Sequence, residues 1–374
     1  MQKKIIALAV AAAFSTPAFA DVGFYGIVDA AVATISGSGQ KSDLIATSGA
    51  ASQSRLGVKA TEDLGNGLTG VAVVEYGIDT EAGASSVGTV SSANALVGAK
   101  PTAVNPLVAR QLMLAVAGDF GTVASGYLQT AAYDFLAKYD PIYGSGSSAH
   151  SIVAAGHLVG STAQRAQRAV AYISPNINGM TFAVNYATAL AGLGNLTAAS
   201  GATAGLKSTA VLLSANYAVD ALSVGAVYAK TGNDNAGGAT TAEFAFGGSY
   251  DLGVAKLMGT YQSSKTSSSA KNDIVYSLAG VMPVATGAVA VMYGANSNQE
   301  NSAVSATAIT AGYLHTFTKN TTGYLVVSSV KNGSGTNGYS VSGNVLGSLG
   351  AVGANTLTAG GSSSLIGVGL RKKF

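Results

Sequence analysis

The sequence predicts an all-β chain, a closed transmembrane antiparallel β-barrel of about 16 strands. Three observations predict it. The chain opens on an export leader; it is apolar and poor in charge, yet offers no spanning helix beyond that leader; and its apolar residues alternate with a period of two.

The leader comes first. Lys3 and Lys4 precede the apolar stretch from Ile5 to Phe14, which runs through Pro17 to the small-residue site Ala18-Phe19-Ala20. That stretch is about ten residues long where a spanning helix needs about twenty, so residues 1–20 read as a cleaved signal peptide. Residues 21–374 then form one barrel domain. Loss of the two lysines leaves 18 basic against 17 acidic groups, a net charge of +1, so no nucleic acid or other polyanion is implied as a partner. The absence of cysteine from an exported chain excludes a disulfide framework and thiolate chemistry.

Composition supplies the second argument. Apolar residues make up 48% and charged residues 10%, where a water-soluble protein carries about a quarter of its residues charged. Part of the surface must therefore face something other than water. One window, Leu278 to Ala295, is uncharged over 18 residues. Pro283, Thr286 and Gly287 divide it into two β-branched and aromatic runs, the pattern of strand, turn and strand. An apolar chain without spanning helices crosses lipid as a closed barrel, because lipid leaves no partner for an open backbone group.

Alternation is the third. Met180, Phe182, Val184 and Tyr186 share one face, and Thr181, Ala183 and Asn185 the other. Val211, Leu213, Ala215 and Tyr217 alternate with Leu212, Ser214 and Asn216; Phe244, Phe246, Gly248 and Tyr250 alternate with Glu243, Ala245, Gly247 and Ser249. One face suits lipid and the other water. Soluble sandwiches alternate too, but Tyr76, Tyr186, Tyr217, Tyr228, Tyr250 and Tyr261 each close an apolar run on its outward face, where a ring sits at headgroup level. With no Trp in the chain, Tyr and Phe supply both girdles.

The connections alternate in length, as short turns and long outer loops do in such barrels. Asp63 to Gly67, Gly118 to Gly121, Pro175 to Gly179, Val219 to Ala221, Asp251 to Gly253, Pro283 to Gly287 and Phe317 to Thr321 read as tight turns. Ser36 to Ser52, Glu81 to Leu107, Gln129 to Gln164, Leu190 to Lys207, Thr231 to Thr240, Ser263 to Asn272, Ser297 to Ser302 and Asn332 to Gly361 read as loops. Seven turns and eight loops join sixteen strands, at about 22 residues per strand and its connection. The Gly/Ser/Ala-rich stretches near 190–206 and 332–364 fit surface loops.

Enzyme and metal chemistry find no pattern. His150, His157 and His315 are the available imidazoles, and the first two lie amid Gly and Ser as solvated loop histidines. They are seven residues apart with no carboxylate between them, which does not make a metal site. The run Gly144-Ser145-Gly146-Ser147 lacks the lysine and the strand-to-helix setting of a phosphate loop. No catalytic, cofactor-binding or metal residues are assigned. An adhesin or translocator barrel would carry a passenger domain or luminal helix, and neither is visible.

Several segments, in order, resemble the general porins of Gram-negative bacteria of the trimeric proteobacterial type. They are Phe24-Tyr25-Gly26-Ile27-Val28-Asp29; Ser54-Arg55-Leu56-Gly57-Val58-Lys59 with Glu62-Asp63-Leu64-Gly65-Asn66-Gly67; and Phe120-Gly121-Thr122-Val123 before Tyr133-Asp134 and Asp140-Pro141. Tyr172-Ile173-Ser174-Pro175-Asn176 and the closing Gly367-Val368-Gly369-Leu370-Arg371-Lys372-Lys373-Phe374 complete the set, which runs from Asp21 to Phe374. The resemblance implies an outer-membrane channel for passive transport of ions and small hydrophilic solutes. It also implies a homotrimer in contact with outer-membrane lipid and lipopolysaccharide, and a terminal Phe374 read by the outer-membrane assembly machinery. A substrate-specific channel is the alternative, and saturable block by one solute would reveal it.

In that family the third loop folds into the lumen and sets its acids against basic residues of the wall. Here the loop is Gln129 to Gln164, with Asp134, Asp140 and the single lysine Lys138. Parity aims Arg55 and Lys59 into water, opposite Leu56 and Val58, and Arg165 in phase with Gln167 and Ala169, opposite Val170 and Tyr172. Arg168 falls out of phase, at the rim. Arg110, in phase with Leu112, Leu114 and Val116, is expected at the outer rim as a snorkelling residue that meets lipid phosphates. Leu128 and Ile142 stand where relatives carry a wall arginine and a loop glutamate, so the constriction is less polarised. Three wall cations against two loop acids predict weak anion preference. In the last strand Ile366, Val368, Leu370 and Phe374 share the outward face, broken by Lys372, which can snorkel.

Overall fold

The computed structural model describes residues 21–39, 42–78, 80, 107–142, 144–190, 208–233, 239–336, 338–341 and 357–374. The leader and most of the low-complexity stretches lie outside the described residues. The strands are β1 (Asp21–Gly37), β2 (Asp43–Ser48), β3 (Arg55–Gly65), β4 (Leu68–Ile78), β5 (Leu107–Gly118), β6 (Gly121–Gln129), β7 (Arg165–Ile173), β8 (Met180–Leu190) and β9 (Ser208–Val219). They continue with β10 (Leu222–Asn233), β11 (Ala239–Asp251), β12 (Lys256–Thr266), β13 (Asp273–Val284), β14 (Gly287–Asn298), β15 (Ser305–Thr318), β16 (Thr321–Asn332) and β17 (Ser362–Lys373).

From β3 onward each strand pairs antiparallel with the next, and β17 pairs with β1 from Ile27↔Lys373 to Gly37↔Ser363, which closes the barrel and leaves no open edge. The seventeen segments make sixteen barrel strands. β2 covers Ala30 to Ile35 of β1, and β3 covers Asp21 to Ile27, so the two are halves of one strand. The expected loop Ser36 to Ser52 is corrected accordingly. Residues 43–48 are wall, with Leu44 outward and Thr47 buried inward, an alternation too short to stand out among Gly and Ser. What remains is a detour, residues 49–54.

All seven predicted turns connect consecutive strands, and local side chains set them. Asp63 Oδ1 accepts from Gly65 N and Asp251 Oδ1 from Gly253 N, each at 2.8 Å. Asn66 and Asn178 take the left-handed conformation at φ 52, which Asn tolerates. The uncharged window folds as β13, a turn and β14.

Parity sorts the wall as predicted. Phe244, Phe246, Leu278, Ile309 and Val368 are exposed on the outer face, while Ala245, Ala308 and Leu365, one residue out of phase, are buried. Tyr186, Tyr217, Tyr250 and Tyr261 are outward and exposed. The closing residue is fixed by main-chain bonds: Gly26 N donates to Phe374 O at 3.0 Å and Phe374 N to Gly26 O at 3.1 Å. A side chain at Gly26 would collide with the Phe374 ring, which explains a glycine there.

The segment between β6 and β7 packs on inward faces of the wall. It contains a helix Ala131–Leu136, capped by Thr130, a helix Ala149–Val153, capped by Ser148, and a π-turn Leu158–Thr162. Ala131 N donates to Asn185 of β8, Asn296 of β14 donates to Val153 O, and Thr310 of β15 donates to Ser147 O, at 2.6 to 2.8 Å. Each wall partner is out of phase with exposed apolar neighbours, so these contacts lie on the face of the sheet opposite the exposed apolar one. Phe135, Leu136, Tyr139, Leu158 and Val159 pack with wall alanines Ala187, Ala210 and Ala245. Ile152 and Val153 pack with Ala50, Ala51, Met292 and Leu365. Gly247 leaves room for Tyr139, whose ring takes the space a Cβ would need.

Candidate functional site

One group of charged wall residues gathers on β3, β4, β5 and β7. Arg55 opens β3, and its Nη1 donates to Gln53 O at 3.2 Å. Glu75 lies on β4, inward by parity with exposed Val74, and is 4% exposed. Its two oxygens meet two guanidinium groups: Arg110 Nε at 2.6 Å from Oε1 and Arg55 Nε at 3.7 Å from Oε2.

Arg110 therefore does not sit at the lipid-facing rim. The β4/β5 ladder shifts between Glu75↔Gln111 and Tyr76↔Ala109, which leaves Arg110 as the extra residue of a bulge. The bulge reverses its parity and turns it onto Glu75, where it is 5% exposed.

Across from this pair, Arg165 at the start of β7 lies with its Cζ 4.2 Å from the centroid of the Tyr133 ring, a cation–π contact. Its Nη1 donates to Gln164 O at 2.9 Å. Burial pushes the Tyr133 hydroxyl up, but the adjacent guanidinium groups of Arg110, Arg165 and Arg55 outweigh it and hold the pKa below the usual range. Tyr133 thus joins both sides into one cluster: Arg55, Glu75, Arg110, Tyr133 and Arg165.

The remaining predicted residues divide. Asp134 is exposed and accepts a hydrogen bond from the Gln129 side chain. Lys138 is exposed in the turn that follows the C-cap of the helix Ala131–Leu136. Lys59 lies on the inner face about 13 Å along β3 from Arg55, by the rise of four strand residues, and makes no ion pair among the described residues.

Asp140 is not a lumen-facing acid. It is 4% exposed, accepts from the Ser148 hydroxyl and from Ile142 N at 3.0 Å, and burial pushes it up to about 6. It staples the loop to itself. Arg168 is exposed at φ 49, within the irregularity between Gly126 and Leu128 of the β6/β7 ladder. Leu128 is buried in the apolar cluster beneath the first helix.

The loop histidines are not solvated. His150 is fully buried: its Nε2 lies 3.1 Å from Gln262 Nε2, and its Nδ1 meets Ser277 Oγ at 3.2 Å and Thr260 Oγ1 at 3.3 Å. Burial, then the neighbouring His157, pushes it down to about 3. His157 stands 3.7 Å from Glu243, which is fully buried and accepts from the amides of Leu158 at 2.9 Å and Val159 at 3.1 Å. His150 anchors the loop to the wall through its side chain, and beside His157 the amides of Leu158 and Val159 do so through Glu243. Among the described residues, no group of His, Asp and Glu is arranged to hold a metal ion.

The sequence alone places Arg110 on the wrong face and does not single out Glu75. A signal for Glu75 existed, since it is the one charge in Val71-Ala72-Val73-Val74-Glu75-Tyr76 and is out of phase with Val74 and Tyr76.

A closed sixteen-stranded wall with charge gathered on its inner face agrees with the comparisons. The model of the family described as "Gram-negative porin" matches residues 7–335. The chain belongs to the Gram-negative porins. This porin is 30% identical to outer membrane porin protein 32 of Delftia acidovorans over 390 residues, covering all of both chains. Among solved structures it is similar to the anion-selective porin from Comamonas acidovorans, with 25% identity, a TM-score of 0.73, and 95% of this chain and 100% of that one covered. The trimer form of OmpT from Vibrio cholerae shares the fold, at 16% identity and a TM-score of 0.62 over 95% of this porin and 99% of that chain. The porin is a multi-pass outer-membrane β-barrel, and family and fold point to a channel and not to an enzyme.

Proposed function

We propose that this porin is a general diffusion channel for ions and small hydrophilic solutes, with weak anion preference set by the Arg55, Glu75, Arg110, Tyr133 and Arg165 cluster. One observation carries the reading: two guanidinium groups, Arg110 and Arg55, meet the single wall carboxylate Glu75, and a third, Arg165, stacks on the adjoining Tyr133 ring, with Asp134 as the nearby loop acid. The positive remainder lowers the barrier to anions and raises it to cations at a narrow wet site. Lys59 and Lys138 extend the same sign along the path, whereas Asp140, buried and bonded to Ser148 and Ile142 within the loop, contributes little. The naming of one similar structure as an anion-selective porin favours the same sign.

The wider assignments follow the family. Residues 1–20 act as the leader and 21–374 as the barrel, the porin assembles as a homotrimer among lipid and lipopolysaccharide, and Phe374 serves as the assembly signal. Single-channel recording of the purified porin tests the channel reading, and reversal potentials in a salt gradient test its sign. Cation selectivity refutes the anion preference; saturable block by one solute selects a substrate-specific channel instead.

A further inference from the structure

The first strand carries a buried carboxylate that the pore cluster does not use. Asp29, within the segment Phe24 to Asp29, is fully buried on the inner face of β1. It lies where the second barrel strand is interrupted, between the last pair of β3, Ile27↔Arg55, and the first of β2, Ala30↔Ser48. The chain leaves the wall at Gly49, whose φ of 82 suits glycine, and returns at Ser54. Ser54 replaces the missing ladder: its hydroxyl accepts from Asp29 N at 2.9 Å and donates to Asp29 O at 3.0 Å, and Gly49 N donates to Asp29 O at 3.0 Å.

The Asp29 side chain faces the detour itself. One oxygen accepts the Tyr324 hydroxyl. The amides of Ala51 and Ser52 and the Arg371 guanidinium face the carboxylate, although its Oδ2 makes no hydrogen bond of full geometry. The detour in turn touches both sides of the pore. Ala50 O accepts from the Ser147 hydroxyl of the third loop, Ala50 and Ala51 pack with Ile152 and Val153, and Gln53 O accepts from Arg55.

We propose that Asp29 is a positioning residue for the constriction: its buried carboxylate holds the 49–54 detour in the lumen, and the detour holds the middle of the third loop and Arg55. The proposal rests on the reading of the Arg55 cluster as the constriction. Asp29 touches no permeating ion; it acts through the backbone of residues 50–53.

The test uses full-length porin in planar bilayers, with heat-modifiable migration on a mild detergent gel as the check of barrel closure. Asp29→Ala is expected to keep the closed barrel, raise open-channel noise and shift the anion-to-cation permeability ratio by about twofold, the low end of effects passed through a contact network. Asp29→Asn, which keeps the shape and the acceptor for Tyr324, is expected to restore most of the wild-type ratio. A folded Asp29→Ala channel with wild-type noise and ratio overturns the proposal. If Asp29→Ala does not close, Ser147→Ala decides, because it removes the hydrogen bond from detour to loop and leaves every ladder bond intact. Raised noise there supports the coupling, and wild-type noise rejects it. Arg55→Ala in parallel tests the constriction itself, so a shift there with none at Asp29 rejects the positioning role alone, and no shift at Arg55 rejects the constriction reading.

Discussion

Glu75→Gln isolates the charge that moderates the constriction. The substitution keeps the size of the side chain and removes the carboxylate that faces Arg110 at 2.6 Å and Arg55 at 3.7 Å. An ion passing about 6 Å away in water then meets one more net positive charge, worth about 0.7 kcal/mol before screening. At 0.1 M salt a Debye length of about 10 Å reduces this to about 0.4 kcal/mol. Anions gain that amount and cations lose it, so the permeability ratio moves by about 0.8 kcal/mol, roughly fourfold toward anions. At 1 M salt the Debye length of about 3 Å leaves a change of less than about 1.5-fold. Reversal potentials in gradients centred on the two salt levels measure both numbers. An unchanged ratio at low salt, or an equal change at high salt, refutes placing Glu75 beside the ion path.

Three further outcomes test the docking of the third loop. Glu243→Gln replaces a charged acceptor by a neutral one under the amides of Leu158 and Val159, costing about 1 kcal/mol, and their hydrogen exchange should quicken roughly fivefold; unchanged protection contradicts the anchoring role. Gly247→Val drives side-chain carbon into the Tyr139 ring, an overpacking cost of about 1–3 kcal/mol, expected as raised open-channel noise with a normally closed barrel; a quiet channel counts against tight packing there. The pH dependence has two opposed parts. His150, pushed by burial from 6.5 to about 3, favours docking at neutral pH and loses that contribution as pH falls through this window, because the undocked ring takes a proton first. Asp140, raised by burial from 3.8 to about 6, favours docking in acid and loses it as pH rises through its own window. The two slopes oppose between about pH 4 and 6, so Asp140→Asn should show loop noise rising below pH 6 where the wild type stays quiet, and identical traces refute the assignment.

How much of this was legible depends on whether the cause was local. The tight turns were, because Asp63, Asp251 and Asn66 act within two or three residues of themselves. The faces of β8, β9 and β11 were, because the pleat fixes parity. Arg110 was not, since a bulge belongs to a pair of strands, and one extra residue opposite Glu75 takes Arg110 out of phase with Leu114 and Val116, which stay on the outer face. His150 was misjudged for a related reason. Its neighbours in the chain are Gly and Ser, but its partners Gln262 and Ser277 lie 112 and 127 residues away, and burial is decided there. The small inward residues were recognised as inward, though not for their main use. Ala245 and Gly247 do not merely suit water; they make room for Leu158, Tyr139 and Phe135.

That use of small residues divides the labour around the wall. From β8 to β15 the inner face packs alanine, glycine and apolar side chains against the third loop, and Asn185, Asn296 and Thr310 end their hydrogen bonds on it. Its acid Glu243 is occupied by two loop amides. That side therefore contributes shape and little net field. The field comes from β3, β4, β5 and β7, where Arg55, Glu75, Arg110 and Arg165 are held by ion pairs and a ring stack. Substitutions on the two sides should separate in the bilayer: those under the loop change noise, and those in the arginine cluster change the permeability ratio. The 49–54 detour touches both, through Ser147 on one side and Arg55 on the other, so a perturbation at Asp29 should move both readouts together.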